Sequence, residues 1–243
     1  SQPGLDRVNE RSVKLTIITE ATDDYPWEVS DDLCWQVLAP REFFVLRMES
    51  RDGLEARELN LRRVVEPEPG RTDDPGEDQK MKWVSTVIGH DPFWYGPEFT
   101  SVLTPSEGTY DPEDNSWNGF IEVRNDGDQD TYMEIAGNEI TVPETWTFPD
   151  SFGVYPEGHE KEGQQVTHTL PTLGPGKEFL VSTHPLEETL RVRDDSQEWA
   201  KMRAEDFEFW IPAHTPPSLL PVKVVGGTAD SEVTVYIPQA YDP

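Results

Sequence analysis

The fold is indicated by short stretches in which apolar and polar side chains alternate, such as residues 121–124 (IEVR) and 232–237 (EVTVYI). In an extended chain, successive side chains point to opposite faces, so Ile121 and Val123 share one face and their charged neighbours share the other. The second stretch repeats the pattern over a longer run. A period of two residues is typical of half-buried strands, so both stretches are predicted to be β-strands.

The same alternation recurs along the chain, between residues that interrupt regular structure. The sequence contains 22 Pro and 17 Gly, and both residue types mark turns and loops. Further strands are predicted at residues 13–17, 54–65, 207–211 and 222–224. Residues 43–48 (FFVLRM) place apolar side chains on both faces, which predicts a strand covered on both sides. Many short strands with frequent turns predict a mostly β chain.

Three local signals add detail to this pattern. Residues 27–38 place apolar side chains in helical register and stop before Pro40, which predicts one short helix. Residues 194–203 open with possible capping residues and are predicted to form a second helix. Residues 50–53 (SRDG) are predicted to form a hairpin turn, because Asp-Gly tolerates the positive φ angles of tight hairpins.

The charge of the chain excludes some partners. The 243 residues include 48 acidic and 20 basic side chains, which gives a net charge of -28. Binding to nucleic acid or to an anionic membrane needs clustered positive charge, so we expect neither partner. Aromatic residues make up 10% of the sequence, and such side chains favour a folded core over disorder.

The distribution of charge and of loops predicts two β-rich modules. Residues 1–97 carry 12 basic and 20 acidic side chains, whereas residues 98–243 carry 8 and 28. Pro-rich and Asp-rich loops at residues 66–80 and 104–118 lie on either side of this boundary. The first module, residues 1–97, should contain the short helix, and the second should comprise residues 98–243.

No pattern in the sequence predicts a catalytic, metal or cofactor site. The 48 carboxylates supply every spacing that a glycosidase pair could need, so no spacing is informative. Residues 125–130 (NDGDQD) resemble the opening of a calcium loop, but Thr131 and Gly137 stand where such a loop has Gly and Glu. We therefore predict a turn at this position, and a protein that is not an enzyme and binds no metal or cofactor.

Several longer stretches resemble a known family. They are residues 90–96 (HDPFWYG), 120–128 (FIEVRNDGD), 173–183 (LGPGKEFLVST), 199–202 (WAKM) and 209–212 (FWIP). Their order and spacing are similar to those in siphophage distal tail proteins, and especially in the minor tail proteins of actinobacteriophages. The resemblance extends from about residue 10 to residue 238, and it depends on the order of the stretches more than on any one of them.

The resemblance implies a structural protein of the virion at the distal end of the tail. Members of the family form a ring, usually hexameric, that joins the tail tube to the tail-tip hub. The implied partners are therefore other copies of the chain, the tail tube protein, and the hub or other minor tail proteins. The first module would form the ring, and the second would be a galectin-like or carbohydrate-binding-module-like sandwich. Family members usually have several dozen residues before the segment that starts here, so we expect the ring domain to be incomplete.

Two groups of residues are candidates for interfaces. Arg62 and Arg63 are unusually basic for this chain and could meet an acidic neighbour, although a solvated strand face explains them equally well. The segment at the end of the first module is expected to fix its packing against the second. Its residues are Asp91, Pro92, Phe93, Trp94 and Tyr95.

A carbohydrate-binding module that attaches the particle to host surface glycans is the alternative function. Loop aromatics beside carboxylates could stack on sugar rings and accept their hydrogen bonds. The other explanation is that these aromatics belong to the core or to interfaces. A glycosidase is a third and weaker alternative. The candidate aromatics are Trp117, Trp146, Tyr155 and Trp210.

Overall fold

The chain folds into two compact units. One unit comprises Ser1–Tyr95 with Asp242–Pro243, and the other comprises Gly96–Tyr241. Most regular structure in both is antiparallel strand, so the chain is mostly β, as predicted. None of the described helices has the length and apolar character needed to cross a bilayer. The computed structural model describes residues 10–39, 42–50, 56–70, 75–104, 107–194, 196–202 and 206–242.

The first unit is built on one antiparallel sheet. Its strands are β1 (Arg11–Glu20), β2 (Phe43–Glu49), β3 (Ala56–Arg63), β4 (Glu68–Pro69), β5 (Lys80–Gly89) and β6 (Trp94–Tyr95). Strand β5 is central, because it pairs with the whole of β1 on one side and with β4 and the end of β3 on the other. Strand β3 also pairs with β2 and β6. Most of the predicted hairpin turn between β2 and β3 lies outside the described residues.

Helix α1 (Trp27–Val37) forms where the sequence predicts it, and polar contacts fix it to the sheet. The Asp31 carboxylate accepts hydrogen bonds from Thr19 Oγ1 at 2.8 Å and from the indole nitrogens of Trp35 at 3.2 Å and Trp83 at 2.5 Å. The two indole rings pack edge to face at 5.0 Å. No residue within α1 is fully buried. The helix is therefore attached to the sheet without burying an apolar face in a core. A second, short helix, α2, spans Pro75–Asp78.

Residues 43–48 form strand β2, but the expectation that this strand is covered on both sides is wrong. Phe43 is 62% exposed, and Val45 and Met48 are also more than half exposed. Alternation along a strand assigns side chains to two faces, but it does not supply the layers that cover those faces. Among the described residues, the ring of Phe43 meets the His90 ring edge to face at 6.0 Å, and most of its surface stays open to solvent.

The second unit contains two five-stranded antiparallel sheets. One sheet has the order β14-β13-β10-β16-β7, and the other has the order β12-β11-β15-β9-β8. The strands of these two sheets are β7 (Phe99–Leu103), β8 (Thr109–Asp111), β9 (Ser116–Asn125), β10 (Glu134–Gly137), β11 (Thr145–Val154), β12 (Gln165–Thr169), β13 (Phe179–Ser182), β14 (Leu190–Val192), β15 (Thr215–Val225) and β16 (Val233–Ile237). A further short strand of the unit, β17 (Ala240–Tyr241), belongs to neither sheet.

A continuous apolar core joins these two sheets into a β-sandwich. Val123 on β9 and Val235 on β16 come from different sheets, and both are fully buried in the same cluster. The rings of Trp146 and Phe148 stack at 5.7 Å within it. Burying one large apolar side chain contributes about 1.5–3 kcal/mol, so a core of this size can hold the sandwich together.

The turn after β9 is organised around the buried amide of Asn125. Asn125 Nδ2 donates to the carbonyl oxygens of Gln129 at 2.8 Å and Pro212 at 3.1 Å, and its Oδ1 accepts from the Gly127 amide at 2.9 Å. Residues 125–130 therefore form a turn, as the sequence predicts.

The helix predicted over residues 194–203 is reduced to one turn of 3₁₀ helix at Glu198–Lys201. Before this turn, the Ser196 amide donates to Asp194 Oδ1 at 3.0 Å. Such local side-chain bonds compete with helical ones and shorten helices. Parts of the predicted helix lie outside the described residues.

Candidate interaction surfaces

The segment that ends the first unit, residues 91–95, is held by hydrogen bonds and ring contacts. Asp91 accepts a hydrogen bond from the Phe93 amide at 3.1 Å and another from the Tyr95 hydroxyl. Burial and the nearby carboxylate raise the pKa of the Tyr95 phenol. The Arg11 guanidinium lies 5.8 Å from the centre of the buried Trp94 ring and donates to the Pro92 carbonyl at 3.4 Å. The segment is thus held within its own unit, and its role in packing the two modules stays a prediction.

The Arg63 side chain lies on the side of the sheet that carries α1, where it contacts Trp35. Its guanidinium carbon lies 5.5 Å from the centre of the Trp35 ring. One terminal nitrogen of Arg63 is buried, and no residue that the structure describes accepts a hydrogen bond from it. Buried donors are normally paired, so this nitrogen is an exception among the described residues.

Arg62 occupies the opposite side of β3, because neighbouring residues of a strand point to opposite faces. It pairs across the sheet with Phe43 on β2 and Ile88 on β5. Its Nε is buried, and within the described part of the chain it has no hydrogen-bond partner. The strand pairing places Val45 and Ile18 on the same face of the sheet as Arg62, and both are more than half exposed. We call the set Ile18, Phe43, Val45 and Arg62 the open face.

The outer side of α1 also carries exposed apolar side chains. Val29, Leu33 and Val37 recur every four residues, so they form one stripe along the helix, and all three are exposed. Apolar residues exposed singly are ordinary, but a contiguous set is typical of a protein–protein interface.

The sheet of the first unit has free edges among its described strands. Strand β1 is paired only with β5, and β2 is paired only with β3. An unpaired edge presents a row of backbone donors and acceptors that another chain can extend. The open face, the α1 stripe and the edges therefore all belong to one unit.

Two of the four predicted sugar platforms face the core of the second unit. Trp146 is 1% exposed, and its indole nitrogen donates to the buried Glu144 carboxylate at 2.9 Å. Trp117 and Trp146 both pair across strands with Val224, so their rings share the inner face of the sheet. The expectation that Trp146 is a stacking platform is wrong, because a ring without exposed area cannot stack on a ligand. Trp117 is half-buried and packs against the same core.

The other two candidates lie elsewhere on the unit. Tyr155 follows β11 and stacks on the His159 ring at 4.4 Å, with Lys161 Nζ 5.5 Å from the centre of its ring. Trp210 is half-buried next to the core residue Ile211. The Tyr155 ring is therefore already engaged with neighbours in its own loop, and a glycan role for Tyr155 and Trp210 stays a prediction.

A groove that the sequence analysis missed lies beside the 3₁₀ turn. It has a volume of about 520 Å³, and Trp199, 48% exposed, forms part of its wall. One feature of the sequence could have indicated an exposed ring: Trp199 lies on a charged segment, between Glu198 and Lys201. That segment was predicted to be a helix, where an apolar residue is expected to pack inward, so the exposure of this ring could not be foreseen.

The comparisons with known proteins include one solved structure with a similar fold. No family model and no curated protein sequence matches the chain. The structure of infectious bursal disease virus, Gx strain, covers 98% of this chain at 12% identity, but its TM-score of 0.23 is too low for a shared fold.

The crystal structure of the Dit protein (gp 19.1) of phage SPP1 is a much better match. It has a TM-score of 0.56 at 13% identity, and the alignment covers 99% of this chain and 85% of that one. The SPP1 protein is described as a paradigm of the hub adsorption apparatus in phages that infect Gram-positive bacteria. The chain therefore shares its fold with a protein of a phage adsorption apparatus.

Proposed function

We propose that this chain is a non-catalytic structural protein of a phage tail tip. Copies of it would form a ring at the distal end of the tail and join the tail tube to the hub. The observation that carries the proposal is the match to SPP1 Dit over nearly the whole length of the chain. The order of short stretches that resemble distal tail proteins supports it independently.

The surfaces of the first unit support an assembling role. Its open face places exposed apolar side chains beside Arg62, and among the described strands β1 and β2 each pair with one neighbour only. Apolar contact and strand addition are the two ways in which β-rich subunits usually associate.

Sedimentation velocity of the purified full-length chain tests the assembly. We expect a concentration-dependent oligomer. Phe43→Ser should weaken association about tenfold, because it removes a large apolar contact from the open face. Phe120→Ser is the matched control, since Phe120 on β9 is exposed to the same extent but lies in the other unit.

A chain that stays monomeric at all concentrations would contradict the ring, and so would equal weakening by both substitutions. The location is tested separately by imaging intact particles labelled with an antibody raised against the chain. Label confined to the distal tail end is expected, and absence of label from purified virions would reject the tail-tip role.

A further inference from the structure

The first unit has two layers, a helix and a sheet, and its two outer surfaces point in opposite directions. Helix α1 packs on one side of the sheet, where Asp31 accepts hydrogen bonds from Thr19 and Trp83. The open face is the other side of that sheet, because Ile18 precedes Thr19 on β1 and points the opposite way. Leu33 follows Asp31 by two residues, which is about 200° around a helix, so the α1 stripe points away from the sheet.

Both outer surfaces are apolar. On the sheet, Phe43 and Val45 are exposed, and so is Val64, which continues the same face two residues after Arg62. On the helix, the α1 stripe is exposed along its whole length. Residues 43–48 alternate so that apolar side chains lie on both faces, a pattern typical of a strand covered on both sides. Helix α1 covers one of these sides, so cover for the second side has to come from another molecule.

The charges of the two surfaces are of opposite sign. Glu28 and Asp32 lie four residues apart beside the α1 stripe, and the helix, whose sequence is WEVSDDLCWQV, contains no basic residue. On the sheet, Arg62 pairs across strands with Phe43, and Lys14 on β1 points to the same side. The helix therefore presents apolar side chains with carboxylates, and the sheet presents apolar side chains with an arginine and a lysine.

The acidic side chains on this side of the sheet do not cancel that difference. Glu49 and Glu58 share one arginine, at 2.8 and 3.4 Å, and Glu10 lies 2.6 Å from a histidine nitrogen. Glu20 and Glu68 pair with β5 toward the other end of the sheet. The part of the sheet around Phe43 therefore keeps a basic character within a chain whose net charge is -28.

Unlike surfaces fit each other better than like surfaces do. Two α1 helices packed together would bring their carboxylates into contact, whereas a helix packed on a sheet joins apolar side chains and opposite charges. We propose that the α1 stripe of one copy packs on the open face of the next copy. This contact presupposes the proposed ring and assigns the two surfaces that would build it. Since the surfaces are different, each contact is head to tail, and repeated contacts close into a ring or continue as a filament.

Mixing two variants of the full-length chain tests this arrangement. Phe43→Asp alters the open face, and Leu33→Asp alters the α1 stripe. Each variant alone should lose at least tenfold in self-association by sedimentation velocity, because each lacks one of the two required surfaces. An equimolar mixture should form a dimer, in which the intact stripe of the first variant packs on the intact face of the second. The dimer should not grow with concentration, because both of its outward surfaces are altered.

Other arrangements predict different results. If open faces packed on each other, Leu33→Asp would associate as the native chain does, and if stripes packed on each other, Phe43→Asp would. Either result, or a mixture that stays monomeric, would overturn the proposed contact while the native chain still forms its oligomer. A monomeric native chain would instead contradict the ring itself.

A matched control separates the stripe from other exposed leucines. Leu219 is an exposed leucine of the second unit, so Leu219→Asp makes the same chemical change away from both surfaces. This variant should associate as the native chain does. A loss equal to that of Leu33→Asp would show that the added charge, not the stripe, causes the effect, and the proposal would be rejected.

Charge reversal tests the complementarity of the two surfaces. The double variant Glu28→Lys, Asp32→Lys should weaken association about tenfold, because it places lysines opposite the basic part of the sheet. Adding Lys14→Glu, at an exposed position, should recover part of the affinity, and adding Arg62→Glu as well should recover most of it. Failure of Lys14→Glu to recover any affinity, at an unchanged melting temperature, would overturn the pairing of these surfaces.

Discussion

The two units of this protein bury their apolar side chains to very different extents. In the second unit, residues such as Val123 and Val235 are completely buried between two sheets. In the first, Phe43 and the outer side of α1 remain exposed, and the described helix α1 has no buried residue. A unit that completes its own core can be stable alone, whereas one that leaves apolar surface uncovered gains stability from partners. This difference in burial is what the assembling role proposed for the first unit would require.

The largest loss of stability is expected from a substitution in the core of the second unit. Phe148→Ala removes a fully buried ring that stacks on Trp146. We expect a loss of about 3–5 kcal/mol in the free energy of unfolding, because the substitution combines lost transfer energy with a cavity. Urea denaturation followed by tryptophan fluorescence measures it. A loss below 1 kcal/mol would mean that this core is not well packed.

A smaller effect is expected where α1 is fixed to the sheet of the first unit. Asp31→Ala deletes the acceptor shared by Thr19, Trp35 and Trp83. Hydrogen bonds to a charged group contribute about 1.5–3 kcal/mol, so we expect a loss of about 2 kcal/mol and greater proteolysis of the helix. Asp31→Asn keeps an acceptor and should lose less. If the alanine variant resists protease as well as the native chain, α1 is held by other contacts.

A pH dependence is expected in the second unit, at the ion pairs of Glu198. Hydrogen bonds from Lys177 and Lys201 hold the pKa of this carboxyl below its usual value. A lowered folded-state pKa stabilises the fold above the unfolded pKa of about 4.3 and loses that contribution as the pH falls through the folded value. Lys177→Met should therefore lower the melting temperature at pH 7, and the difference should shrink toward pH 3. A difference that is constant with pH would show that lost packing, not charge, causes the effect.

The smallest effect on stability should come from the open face. Phe43→Ser, measured at dilutions where the chain is monomeric, should change the free energy of unfolding by less than about 0.5 kcal/mol, as is usual for surface substitutions. A loss of 2 kcal/mol or more would show that Phe43 is buried within the monomer, and the contrast between the units would then disappear.

Sequence reasoning succeeded where the signal was local. The alternation at residues 121–124 and 232–237 predicted strands that formed as β9 and β16, and α1 ends at Val37, before the predicted limit at Pro40. It failed where the outcome depended on distant residues. Trp146 was expected on a loop, but it lies on β11 and is buried by the opposite sheet.

The sequence by itself determined the secondary structure class, the position of α1 and the acidic character of the chain, because these follow from neighbouring residues and from composition. Only the tertiary structure decided which faces are covered. Strand β10 pairs with β16, about a hundred residues later, and that pairing helps to close the sandwich around its core. Alternation specifies two faces for each strand, but long-range pairing decides which face is buried. The open face and the Trp199 groove therefore became visible only in the folded chain.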